Sequence, residues 1–129
     1  MPKPLAFDRK KRLVAKGDFD RAFRQGSRAK GSILIVVARP NGLAHSRLGL
    51  SIGKSIWKSA VKRNRVRRIF REAFRLSYPE LPSGYDLVLI AAAPKLEPVL
   101  AATRTELVGM AHKAARRARK KFAAEGERA

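Results

Sequence analysis

The spacing of apolar positions changes period several times along the chain, and each change marks an element. Phe19, Ala22 and Phe23 repeat at helical spacing behind Gly17-Asp18 and ahead of Gly26, which predicts a short helix with a polar start and a glycine stop. The run from Ile33 to Val37 is apolar and rich in β-branched residues, and predicts a buried strand over 32–39. Pro40-Asn41-Gly42 then signals a turn. Leu48, Leu50 and Ile52 alternate with small or polar residues, so 47–53 reads as the hairpin partner of the strand before it. Helical spacing resumes from about residue 58 to 77 and halts before Pro79. Leu87 to Ile90 predict a strand over 85–92, and a last helix starts near Pro98. With a further short strand near 26–30, the order is α-β-β-(β)-α-β-α. These elements make one α/β domain over 1–129, with basic ends at 1–11 and 119–129 expected to fray.

The helix over 58–77 carries two opposed faces. At about 100° per residue, Val66, Ile69, Phe70, Ala73, Phe74 and Leu76 fall within an arc of about 160°. Asn64, Arg67, Arg68, Arg71 and Arg75 fall opposite, with Arg63 and Arg65 at the edges of that arc. The apolar stripe must pack on the sheet, so the arginines face solvent or a ligand. A charged face is often no more than a solvated one. Here Glu72 is the only acid on the helix, so the row lacks internal balance. Arginine also outnumbers lysine, and its planar fork suits phosphate oxygens and base stacking.

Composition extends the same picture. The chain has 129 residues, 30 Lys and Arg against 10 Asp and Glu, and a net charge of +20. The cations cluster in 1–31, 57–78 and 113–121, which together hold 24 of the 30. A solubility coat would be spread more evenly. Such a domain repels itself and calls for a polyanion, of which nucleic acid is the usual kind. The rival polyanion is a membrane surface, but no segment reaches the roughly 20 apolar residues of a spanning helix. The opening Met1 to Phe7 lacks the apolar core of a signal peptide. There are no cysteines, hence no disulfide and no thiolate metal site. The cytoplasm is the expected compartment.

Arg63-Asn64-Arg65, followed by Val66-Arg67-Arg68-Ile69-Phe70-Arg71-Glu72-Ala73-Phe74, resembles the signature helix of the bacterial ribonuclease P protein subunit. Arg12-Leu13, Asp18-Phe19-Asp20-Arg21-Ala22-Phe23, Leu48-Gly49-Leu50-Ser51-Ile52-Gly53-Lys54 and Asp86 to Ala91 extend the resemblance over about 9–118. The resemblance implies an α/β (α+β) two-layer sandwich with a left-handed β-α-β crossover, against the general right-handed preference. It also implies a partner, the catalytic ribonuclease P RNA, and a substrate, precursor tRNA, whose 5′ leader is removed. Magnesium ions would serve the RNA, with no catalytic or metal-binding residue on the protein and no small-molecule substrate. By position, Arg63, Asn64, Arg65, Arg67, Arg68 and Arg71 would meet the catalytic RNA. Arg12, Phe19, Phe23, Ser51 and Lys54 would line a cleft for the single-stranded leader. By spacing alone Phe19 and Phe23 read as core; the resemblance gives them a shared role, rings at the cleft floor and edges in the core. The stretch Ile56-Trp57-Lys58-Ser59 departs from the family and is one residue longer. Trp57 either packs at the helix start or adds a stacking surface.

A self-sufficient nuclease would need a general base or a metal cage. His45 and His112 have no acidic cluster nearby in sequence, and the ten acids are scattered. The alternative to the family reading is a basic ribosomal or RNA-chaperone-type protein. A DNA-binding regulator is weaker, because the arginine helix lacks helix-turn-helix spacing.

Overall fold

In the computed structural model, which describes residues 9–128, strand β4 (Tyr85–Ala91) forms the centre of the domain. Its residues are buried except Ile90, which is half-buried. It lies between β2 (Leu34–Pro40), antiparallel to it, and β3 (Arg47–Ser51), parallel to it. Strand β1 (Ser27–Lys30) adds to the far side of β2, giving the sheet order β1-β2-β4-β3. Three helices complete the domain: α1 (Lys16–Gln25), α2 (Ala60–Ser77) and α3 (Leu100–Arg128).

The period of two divides the strands between two faces. Leu34, Val36, Ala38, Leu48, Leu87 and Leu89 point to one side, where α2 brings Val66, Phe70 and Phe74 and α3 brings Leu107. Phe70 and Phe74 are fully buried and form the bulk of this core. Val37 and Val88 point to the other side and pack with Leu13 and Ala22, Phe19 and Phe23 leaning against them. The sandwich implied by the resemblance is therefore present as the sheet plus α2 and α3. Helix α1 adds partial cover to the opposite face.

The expected hairpin between 32–39 and 47–53 is not formed. The turn is there, with Gly42 at φ 71° and the Asn41 side chain accepting from the Leu43 N–H at 2.8 Å. Yet β3 pairs with β4, from Arg47 opposite Asp86 to Ser51 opposite Ile90. A turn motif reports a reversal of direction and says nothing of the partner. The central place goes to the strand that is apolar on both faces, and β4 has that property. β3, with Arg47, Gly49 and Ser51 on one face, suits an edge. The parallel pairing makes β3-α2-β4 a crossover unit with α2 as its body.

Other limits moved by a residue or two. Helix α1 begins at Lys16, and Ala15 makes no side-chain cap there. Asp18 lies inside the first turn, where it pairs with Arg21 and approaches Arg47 at 3.5 Å. Helix α2 is capped by Ser59, whose side chain accepts from the Lys62 N–H at 3.3 Å. The short strand expected near 26–30 is β1. The frayed end expected from 119 is helix as far as Arg128. At the other basic end, Arg9–Lys11 is one turn of 3-10 helix, and residues 1–8 lie outside the described residues.

Two polar devices hold these parts in place. Asp86, 1% exposed, receives Arg47 Nε and Nη2 at 2.8 Å each and Asn41 Nδ2 at 3.0 Å. The hydrogen bond to Asp86 raises the Arg47 guanidinium above its ordinary pKa, against the opposing effect of burial. Glu106 on α3 accepts from the backbone N–H groups of Ser32, Ile33 and Leu34 and from the Ser32 hydroxyl, at 2.7 to 2.9 Å. Burial pushes its carboxyl up, but these hydrogen bonds outweigh that and hold it below the usual value.

Candidate nucleic-acid interface

The apolar stripe of α2 decides where its arginines stand. Val66, Phe70, Ala73, Phe74 and Ser77 are buried, so the opposite side of the helix is left outward. Arg65, Arg68 and Arg71 are exposed there. Asn64, Arg65 and Arg68, with the exposed Val61, border a shallow groove of about 220 Å³. Arg63 and Arg67 stand differently: both are half-buried and turned onto backbone carbonyls. Arg63 Nη1 donates to the carbonyls of Trp57 and Lys58 at 2.9 Å each, tying the helix to its own entry loop. Arg67 Nη2 donates to the Ile52 carbonyl at 2.9 Å, and its Nη1 to Asn64 Oδ1 at 2.8 Å. Arg63 thus fixes the ridge to its entry loop and Arg67 fixes it to the end of β3, while the other three project.

None of these five arginines pairs with a carboxylate among the described residues, where the ion pairs involve Arg21, Arg47 and Arg75. Arg75, the last of the row, is taken by Glu72, whose carboxyl it holds below its ordinary pKa. The first turn of α2 has no acid. Lys62, Arg63 and Arg65 therefore crowd the positive end of the helix dipole, an unfavourable arrangement that a bound anion offsets.

The second set of residues gathers where α1 crosses β3. Phe19 and Phe23, one turn apart, stack with ring centroids 6.1 Å apart and 12° between planes. Gly49 lets Phe19 lie against β3: a Cβ there would sit 2.9 Å from the ring. Both rings are half-buried, packed on the Val37 and Val88 side with part of each left to solvent. Arg28 sits 5.0 Å from the Phe23 ring centroid and donates to the Phe23 carbonyl. Arg12, bridged by its backbone to Leu48, lines an open groove of about 410 Å³ with Phe19, Gly49 and Arg71. The groove thus joins the aromatic pair to the arginine ridge. Ser51 is half-buried at the end of β3 on the same face as Gly49. Lys54 is exposed on the turn after it and does not line this groove.

Arg28 went unnoticed in the sequence, as did the place of Arg71 beside the aromatic pair. Strand alternation carried a signal for the first: Arg28 stands opposite Val37, on the face that α1 only partly covers. Trp57 is a packing residue. Its Nε1 donates to the Leu96 carbonyl at 2.7 Å, and Lys62 Nζ lies 4.2 Å from the ring centroid. The longer loop 56–59 is clipped to the connection after β4, where Lys95 N–H donates to the Ile56 carbonyl.

A sheet backed by two helices, an outward row of arginines without acidic partners among the described residues and an aromatic cleft bordered by cations define a nucleic-acid-binding protein of the α+β class. Comparison with known proteins gives the family. The ribonuclease P family model matches residues 7–119. The ribonuclease P protein component of Photobacterium profundum is 45% identical over 87 residues, which are 67% of this chain and 73% of that one. The solved ribonuclease P protein of Thermotoga maritima is 30% identical, with a TM-score of 0.67 over 76% of this chain and 92% of that one. The Staphylococcus aureus protein gives a TM-score of 0.66 at 26% identity, over 78% and 91% of the two chains. The chain belongs to the bacterial ribonuclease P protein family.

Proposed function

We propose that this protein holds the catalytic RNA of ribonuclease P on the α2 ridge and the 5′ leader of precursor tRNA in the α1–β3 cleft. Arg65, Arg68 and Arg71 meet the RNA backbone, Arg63 and Arg67 stiffen the ridge, and Asn64 orients Arg67. Phe19 and Phe23 offer ring faces to unpaired leader bases, which suits a grip tolerant of sequence. Arg12 and Arg71, on the rim of the same groove, neutralise leader phosphates, and Ser51 and Lys54 extend that path past the end of β3.

The bond-breaking step belongs to the RNA, with magnesium held there. Three of the protein's ten acids are engaged elsewhere: Asp86 by Arg47 and Asn41, Glu72 by Arg75, Glu106 by backbone N–H groups. Each histidine has a ring nitrogen against a backbone carbonyl, His45 on Lys10 and His112 on Glu80. Among the described residues no helix is long and apolar enough to cross a membrane, and the reading assigns the protein to the cytoplasm, where tRNA is processed.

The observation that carries this reading is the outward trio Arg65, Arg68 and Arg71, which has no carboxylate partner among the described residues and stands over a fully buried phenylalanine pair. Arg68→Glu tests it, since the side chain is exposed and the fold does not depend on it. Reconstituted with ribonuclease P RNA, the variant should bind more than ten-fold more weakly and show a shallower salt dependence, at an unchanged melting temperature. Leader removal at low magnesium should fall with it. Unchanged affinity and an unchanged salt slope would reject the ridge as the RNA face. Family membership does not favour the ribosomal or chaperone alternative, which predicts no gain in leader removal at any protein-to-RNA ratio.

A further inference from the structure

The basic segment 113–121 has no task in this scheme, and the structure turns it into a built surface. The inward stripe of α3 runs Leu107, Ala111, Ala114, Ala115 and Ala118, all buried against the sheet. At about 100° per residue Phe122 continues that stripe. There the sheet has ended, and the ring is 66% exposed. It overhangs an open groove of about 430 Å³ floored by Ala38, Pro40 and Ala118 and edged by Gln25, Arg39 and Lys121. Cations flank the stripe on both sides. Lys121 Nζ is anchored to the Gln25 carbonyl at 2.8 Å, and Arg119 Nη1 reaches the Tyr85 hydroxyl at 3.3 Å. Neither they nor Arg39 pair with a carboxylate among the described residues. The groove opens beside the end of α1 and shares no lining residue with the groove beside Phe19.

We propose that this groove is a second RNA grip, in which Phe122 stacks on an unpaired base of the ribonuclease P RNA while Lys121, Arg119 and Arg39 hold its phosphates. An exposed aromatic ring between cations fits a single strand, because every base offers a ring face and every linkage a charge. Charge complementarity selects RNA over a second copy of this chain, whose own surface carries the same positive sign. The inference rests on the proposed function for the identity of the RNA. A second contact on one RNA makes binding bivalent, so each contact raises the effective concentration of the other.

The test uses the full chain with Phe122→Trp, read against the parent, whose Trp57 supplies the background emission. Ribonuclease P RNA should quench the added tryptophan, and precursor tRNA alone should not. Phe122→Ala should bind that RNA about ten-fold more weakly at an unchanged melting temperature. Lys121→Gln should reduce the logarithmic salt slope by about one. Arg68→Glu should weaken binding yet leave the quench at saturation. Full affinity for Phe122→Ala with no quench, while Arg68→Glu still loses affinity, would overturn the second grip and leave the first reading intact. Quenching by precursor tRNA alone would overturn the assigned source. A dimer abolished by Phe122→Ala with RNA affinity unchanged would overturn it in favour of self-association. If the parent binds ribonuclease P RNA no better than an unrelated structured RNA of equal length, the proposed function itself fails.

Discussion

The two faces of the sheet are built on different principles. The face under α2 and α3 is apolar: Phe70, Phe74, Leu87, Leu89 and Leu107 are wholly buried, and among the described residues no charged side chain belongs to this cluster. The face under α1 has a smaller apolar cluster, two half-exposed rings and the Arg47–Asp86 pair at its end. Burial of large side chains stabilises the first face, at about 25 cal/mol for each Å² removed from water. The second is held by a smaller apolar cluster, which leaves part of each ring open to solvent. The bulk of the packing thus lies on one side of the four-stranded sheet, and the proposed leader cleft lies on the other.

Phe70→Ala strikes the apolar face and should have the largest effect on folding. It removes a fully buried ring at the α2–sheet contact and should destabilise the protein by about 4 kcal/mol, read from urea unfolding. RNA affinity measured well below the lowered melting temperature should change little, because the ridge arginines are not in that contact. Arg47→Ala should cost less, about 3 kcal/mol, by leaving the Asp86 carboxylate buried with only Asn41 as a side-chain partner. The double variant Arg47→Ala/Asp86→Ala should recover part of the loss, because no unpaired charge then stays inside. A double variant as unstable as the sum of the singles would show that the pair is not the fastening of that face.

Glu106→Gln tests the polar clamp between α3 and the β1–β2 connection. The amide can accept at one oxygen only and carries no charge, so a loss of about 2 kcal/mol is expected near neutral pH. The folded-state carboxyl lies below its ordinary value of 4.5. A depressed carboxyl contributes stability above its unfolded pKa and loses it as pH falls through the folded one. The parent should therefore lose stability below about pH 4.5, and Glu106→Gln should show a flatter profile in that window. Parallel profiles for the two proteins would remove the clamp from the account.

What the sequence disclosed follows the same division. The α2 ridge was legible because one helix writes both of its faces into consecutive residues, Val66 and Phe70 against Arg65 and Arg68. Even there, nothing local showed that Arg67 would bend onto the Ile52 carbonyl, fifteen residues earlier. The place of β3 was illegible, since pairing with β4 is decided by which strand is apolar on both faces, a comparison across the whole chain. The clamp of Glu106 on Ser32, Ile33 and Leu34 spans more than seventy positions and leaves no periodic trace. The cleft was legible only through resemblance. By spacing Phe19 and Phe23 are core residues, and half of each ring is.

That half-buried state sets up the smallest expected change in stability. Phe23→Leu keeps apolar bulk against the Val37 and Val88 cluster but removes the ring face beneath Arg28. If the ring serves packing, the swap is close to volume-conserving and should cost under about 1.5 kcal/mol, with leader binding following stability alone. If the ring also receives a base, binding of an unpaired leader should weaken by about ten-fold while stability falls no further. Comparing precursor tRNA with mature tRNA isolates the effect, since only the former carries a leader. The expected result is a loss confined to the precursor, with ribonuclease P RNA bound as tightly as by the parent. An equal loss on both tRNA forms would make Phe23 a core residue and move leader recognition to the cations at the rim of the groove.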